Sequence, residues 1–109
     1  IVGFVGGGKI RIDNPENDLR YESELYAIYL LNEAQGHGIG RRLMLTLVEK
    51  LVEASMNSML LWVFAKNPAR HFYESMGGQK IKESQFELNG AQVDEVAYGW
   101  NNIKTLLEK

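Results

Sequence analysis

The chain has no cysteine among its 109 residues. That excludes disulfides, thiolate metal sites and a cysteine nucleophile, and it fits a cytoplasmic protein. Long apolar runs are missing too. None approaches the about 18 residues that a spanning helix needs, so no membrane partner is expected. No secretory leader is visible. Charge of one sign is scarce: the formal net charge is −2, which gives no electrostatic reason to expect nucleic acid. Internal repeats and low-complexity linkers are absent. With 45% apolar and 24% charged residues, the composition is that of an ordinary globular domain. The length allows one modest core, so residues 1–109 are expected to form a single domain.

Against this plain background one stretch stands out: Gln35-Gly36-His37-Gly38-Ile39-Gly40, followed by Arg41 and Arg42. An apolar, β-rich run, Glu24-Leu25-Tyr26-Ala27-Ile28-Tyr29-Leu30-Leu31, precedes it. An amphipathic run carrying Leu43, Met44, Leu47, Val48, Leu51 and Val52 follows. The order predicts strand, glycine turn, helix. A helix start leaves backbone N–H groups without partners, and the macrodipole makes that end positive. Glycines let an anion approach the bare backbone, so the unit can hold a phosphate. A tight turn with close packing explains the same glycines without any ligand. Two known phosphate motifs do not fit. A P-loop ends in Gly-Lys-Ser/Thr, where this chain has Gly40-Arg41-Arg42. A dinucleotide fingerprint needs G-x-G-x-x-G and an acid about 20 residues on that closes a parallel unit. Here the glycines alternate, and Glu53 ends the predicted helix.

The pattern that does fit is Q/R-x-x-G-x-G/A, with Gln35, Gly38 and Gly40 in its fixed positions. It resembles the acyl-CoA diphosphate loop of the GNAT superfamily of N-acyltransferases. Glu24 to Tyr29 is similar to the strand that leads into that loop. The segment Asn67-Pro68-Ala69-Arg70-His71-Phe72-Tyr73-Glu74-Ser75-Met76-Gly77 resembles the family's second cofactor segment, N-x-A-x-x-F-Y-E-x-x-G. Two motifs in the right order, with a strand between them, are far more specific than either alone. The resemblance covers nearly the whole chain. It implies an α/β fold with a mixed, mostly antiparallel sheet flanked by helices. The chain opens on Ile1 inside a predicted strand, and the family's usual first strand and two helices have no counterpart before it. The expectation is thus about the C-terminal two-thirds of such a domain, truncated at its N-terminus. The family has Gly-Phe after the second helix where this chain has Gly77-Gly78.

Taken in order, Ile1 to Val5 is a β-branched run that predicts a strand, ending in the glycines 6–8 as a bulge or turn. Lys9 to Ile12 either continues it or returns as a hairpin partner. Asp13 to Asp18 is a polar loop. Residues 23–31 form a central strand, and a helix runs from about Ile39 to Ala54 with Glu49 and Glu53 outward. Met59 to Ala65 is a second buried strand. Asn67 caps the next helix with Pro68 at its first position, and Ala69, Phe72, Tyr73 and Met76 share one face. Gly77-Gly78 ends it. Residues 79–88 and 91–100 form a hairpin about Asn89-Gly90, with Val96, Tyr98 and Trp100 on one apolar face. Asn101 caps a short last helix, Ile103 to Glu108.

The resemblance implies an acetyl-CoA-dependent N-acetyltransferase that moves an acetyl group to a primary amine by direct attack in a ternary complex. The alternative is an acyl-CoA-binding or sensor module without turnover. Cofactor contacts would come from the backbones of Ile28 and Leu30, from Gln35, Gly36, His37, Gly38, Ile39, Gly40 and Arg41, and from Asn67. His37 is also explained as a variable solvent-facing loop position. Tyr73 would protonate the departing thiolate, and Glu24 would be the general base. The residues alone allow plainer roles: Asn67 a helix cap, Tyr73 a core aromatic, Glu24 a solvated acid at a strand start, Tyr26 and Tyr29 packing, His71 a surface residue. No metal is expected. The acceptor is a small-molecule amine or a peptide amino group. The hairpin often lies at a dimer interface in the family, and a bare sheet edge here would invite a homodimer or strand exchange.

Overall fold

A computed structural model describes residues 3–12, 17, 18, 20–30 and 38–108. The element order is β1 (Gly3–Lys9), β2 (Ser23–Leu30), α1 (Ile39–Glu53), β3 (Met59–Phe64), α2 (Ala69–Ser75), β4 (Gln79–Leu88), β5 (Ala91–Trp100) and α3 (Lys104–Leu107). The strands form one sheet in the order β1-β2-β3-β5-β4. All neighbours are antiparallel except β2 and β3, which are parallel with α1 as their crossover. The predicted mixed, mostly antiparallel sheet flanked by helices is therefore present. β3, not β2, lies at its centre.

The apolar stripe of α1 decides which face the helix buries. Met44, Leu47, Val48 and Leu51 are all buried and pack on Leu25, Met59, Leu61 and Val63 of the sheet. The same core takes Tyr73 and Met76 from the α2 segment, Val96, Tyr98 and Trp100 from β5, and Ile103 and Leu106 at the end. Leu60, Trp62 and Phe64 alternate with the core residues of β3, so they lie on the opposite face. Near the strand starts Tyr21 lies over that face at Gly99, where a Cβ would fall 2.5 Å from the phenol oxygen.

The glycines of β1 do not turn the chain back. The strand runs through them as an antiparallel partner of β2, with a register shift between Gly6 and Gly7. Gly6 faces Ala27 and Gly7 faces Leu25, so Tyr26 is the extra residue of a bulge in β2. Gly7 is needed for close approach: a Cβ there would lie 2.8 Å from the Glu24 carbonyl oxygen and 2.9 Å from a Leu47 methyl.

Helix boundaries follow the local chemistry, with small corrections. α1 starts after Gly38, whose φ of 75° is the left-handed conformation glycine adopts most readily. α2 starts at Ala69 with Pro68 as its N-cap, one residue later than predicted. Asn67 nevertheless caps it, its Oδ1 accepting the Ala69 N–H at 2.9 Å. Gly77 ends the segment at φ 91°. The hairpin turns at Asn89 (φ 52°) and Gly90 (φ 82°), as its sequence predicts. The last helix is capped by Asn102, not Asn101: its Oδ1 accepts the Lys104 N–H at 3.2 Å.

Candidate active site

β2 and β3 pair only at Ser23–Met59 and Glu24–Leu60. Beyond Glu24 the bulge at Tyr26 bends β2, while β3 stays paired with β5 to its end at Phe64. The two strands therefore part, and among the described residues the β3-facing backbone of Leu25 to Leu30 has no strand beside it. The backbones of Ile28 and Leu30 lie in this unpaired half.

A cleft of about 230 Å³ opens where the strands part, lined by Leu25, Tyr26, Trp62, Val63, Phe64, Asn67, Tyr73 and Glu95. It joins the two faces of the sheet. Leu25, Val63 and Tyr73 belong to the helix-covered side, and Tyr26, Trp62 and Phe64 to the other. Tyr73 is held edge-on to Phe72 with ring centroids 5.5 Å apart, and tilted against Tyr98 at 6.4 Å. Its side chain is only 5% exposed, and burial pushes its phenol up from the ordinary tyrosine range. A neutral O–H is thus available as a proton donor at neutral pH. Its hydroxyl has no hydrogen-bond partner among the described residues.

Among the described residues the first turn of α1 has no side-chain cap and no acidic residue, so its leading amides find no partner there, at the positive end of the helix. The Arg41 side chain of this turn reaches the C-cap of α2, donating to the Met76 sulfur at 3.3 Å. Met76 lies three residues beyond Tyr73. Arg41 thus links the first turn of α1 to the end of the segment that carries Tyr73. Gln35, Gly36 and His37 lie outside the described residues, as does the side chain of Tyr29.

Glu24 is not a solvated acid. It is fully buried. Its Oε2 accepts from Arg11 at 2.5 Å, and its Oε1 accepts the Arg11 backbone N–H at 3.2 Å and the Asn17 amide at 3.0 Å. Asn17 in turn accepts the Trp62 indole N–H at 2.6 Å. This network fastens Arg11 and Asn17 to the sheet where β2 and β3 are paired. Tyr26, 42% exposed, donates its hydroxyl to the Lys9 carbonyl and lies under the Arg11 guanidinium at 4.9 Å. It packs, as predicted, but at the surface. His71 is exposed and 3.9 Å from Glu74.

Four contributors escaped the sequence reading: Arg11, Asn17, Trp62 and Glu95. Only Glu95 carried a signal, as an acid directly before the buried run Val96–Trp100. The Gly-Gly departure also has an explanation. A Cβ on Gly78 would lie 2.7 Å from the Trp100 ring, whose indole N–H donates to the Met76 carbonyl at 3.0 Å. The aromatic ring beside the α2 terminus comes from β5 instead. Among the described residues no group of three or more His, Cys, Asp or Glu could hold a metal ion, and no helix is long and apolar enough to cross a membrane.

Residues 3–87 match the model of the FR47-like protein family. The chain belongs to this family. Its whole length aligns at 38% identity with the uncharacterized N-acetyltransferase YuaI of Bacillus subtilis, of which it spans 62%. The crystal structure of a ribosomal-protein-alanine N-acetyltransferase from Brucella melitensis is 26% identical, with a TM-score of 0.73 over 92% of this chain and 61% of that one. Arabidopsis thaliana NAA60, solved in complex with acetyl-CoA, shares the fold at 18% identity, with a TM-score of 0.72 over 93% of this chain and 66% of that one. The FR47-like chain thus shares the GNAT fold of these solved acetyltransferases.

Proposed function

We propose that this chain carries the acyl-CoA site and the acyl-transfer centre of an N-acetyltransferase acting on a primary amine. The observation that carries this reading is the parting of β2 and β3. It leaves a strand edge free to pair with an extended ligand arm, next to a neutral buried tyrosine and an uncapped helix start. The acetyl-CoA bound by the NAA60 structure is such a ligand.

In this reading the amides of Ile39 to Arg41 receive the diphosphate, with Gln35, Gly36, His37 and Gly38 completing the loop by resemblance. The backbones of Ile28 and Leu30 hold the pantetheine arm, and the Leu30 N–H polarises the thioester carbonyl. Among the described residues the side-chain NH2 of Asn67 has no partner, because only its oxygen is used in capping. Tyr73 gives its proton to the leaving sulfur. Both reactants are held at one cleft, so positioning supplies part of the rate.

Free CoA release, followed with acetyl-CoA and a panel of primary amines and peptides, tests the proposal. Release that depends on the amine supports transfer in a ternary complex. Release that no amine accelerates would mean binding without turnover and would overturn it.

A further inference from the structure

The cleft contains one acid that the assignment above does not use. Glu95 sits on β5 directly across from Phe64, the last residue of β3. Directly paired residues share a face, and so do residues two apart on a strand. Glu95, Phe64 and Trp62 therefore lie together on the face opposite the helices, with Tyr26 across the opening. All four line the cleft. Tyr73 reaches the same cleft from the helix-covered side. Glu95 is half-buried, and it has no hydrogen-bond or ion-pair partner among the described residues. Burial alone pushes its carboxyl up from the ordinary glutamate range. Of the groups around it, Ser84 on β4 and Phe64 on β3 are uncharged, and Tyr26 and Tyr73 are phenols. Among the described residues Lys82, paired with Ala97, and Arg11, over the Tyr26 ring at 4.9 Å, are cations of that face; the charge of Lys82 acts on Asp18, and Arg11 is ion-paired with Glu24. Glu24, by contrast, already has both oxygens engaged by Arg11 and Asn17.

Resting on the acyltransferase reading, we propose that Glu95 is the acceptor-side carboxylate: it binds a cationic primary amine and takes its proton. A lone carboxylate ringed by three aromatic side chains is suited to an ammonium group, which gains from the charge and from the ring faces together. Glu95 accepts one proton from the ammonium. The neutral nitrogen then attacks the thioester carbon from the face opposite the helices. The C–N bond forms and the C–S bond breaks. The sulfur leaves with its electron pair and takes the Tyr73 proton. The second surplus proton on nitrogen restores Tyr73, and Glu95 releases its own to water. The products are an amide, a thiol and one proton.

The test is Glu95→Gln, with Glu95→Asp as the conservative variant, assayed in the wild-type chain's conditions with spermidine, tyramine and a short peptide bearing a free N-terminus. A general base contributes about 10²–10⁴-fold. For the best acceptor, Glu95→Gln should lower kcat/KM by at least about 100-fold. The loss should ease as pH rises and free amine accumulates, and Glu95→Asp should recover part of the rate. The thermal shift produced by acetyl-CoA should be unchanged, and the melting temperature at neutral pH should not fall. Unchanged kcat/KM in Glu95→Gln, with wild-type turnover intact, would overturn this inference and leave the acyltransferase reading standing. An equal loss that acetyl-CoA binding shares would also overturn it, by showing that Glu95 serves the cofactor side. Failure of the wild-type chain to turn over any of the amines would overturn the acyltransferase reading itself, and this inference with it.

Discussion

Replacing Tyr73 by phenylalanine separates chemistry from packing. The ring is 5% exposed and wedged between Phe72 and Tyr98, so its apolar body belongs to the core. Truncation to alanine would leave a cavity and cost about 3–5 kcal/mol. In a domain of this size about 1 kcal/mol moves the melting temperature by about 4 °C, so Tyr73→Ala should fall by about 12–20 °C. Phenylalanine keeps the ring. The hydroxyl has no partner to lose among the described residues, so Tyr73→Phe should stay within about 0.5 kcal/mol, or about 2 °C, of wild type. Activity should respond the other way. Loss of a general acid costs about 10²–10⁴-fold in kcat, with little change in KM for acetyl-CoA. The assays are thermal denaturation and amine-dependent release of free CoA. Two results would refute the reasoning: a Tyr73→Phe protein with the wild-type rate, or one destabilised by more than about 2 kcal/mol, which would mean that the hydroxyl holds the core.

Three further outcomes are expected. Gly7→Ala should cost about 1–3 kcal/mol in denaturant melts, because the new methyl meets the Glu24 carbonyl and Leu47, and the backbone atom cannot move aside. Glu24→Ala should cost toward the lower end of about 3–5 kcal/mol, since its carboxylate is buried while Arg11 is half-exposed. Trp62 fluorescence should report it, because the indole bonds to Asn17 in the same network. At high pH, Tyr73→Phe should resist unfolding better than wild type. Burial raises the Tyr73 phenol, so its contribution is fully present below its unfolded value near pH 10 and is lost as pH climbs through the folded one. Equal alkaline loss in both proteins, seen in melts above about pH 10, would contradict that assignment.

The legible part of this protein is its local periodicity. The four-residue spacing of Leu43, Leu47 and Leu51 and the Asn89-Gly90 turn each specify their own element, and the helix and the hairpin stand where the pattern puts them. The site was legible only in its motif residues. Asn67 and Tyr73 meet at one cleft, but the cleft depends on where two strands cease to pair. That depends on a one-residue bulge at Tyr26, opposite a run of glycines whose effect on register no local rule specifies. Glu24 misleads for the same reason. Its position at a strand start allows a general base or a solvated acid, and only tertiary contact shows that Arg11 and Asn17 come back over it. Glu95 and Trp62 are far apart in sequence and become neighbours through the β3–β5 ladder.

The central claim is that the parted strands and the α1 terminus form an acyl-CoA site. Thermal denaturation with acetyl-CoA, and with ATP as control, tests it most directly. Acetyl-CoA at about 100 times its dissociation constant should add about 2.7 kcal/mol, or about 10 °C. ATP, which offers phosphates but no pantetheine arm to pair with β2, should add far less. A shift with acetyl-CoA and little with ATP is the predicted result. No shift with acetyl-CoA, or an equal shift with ATP, would contradict the account.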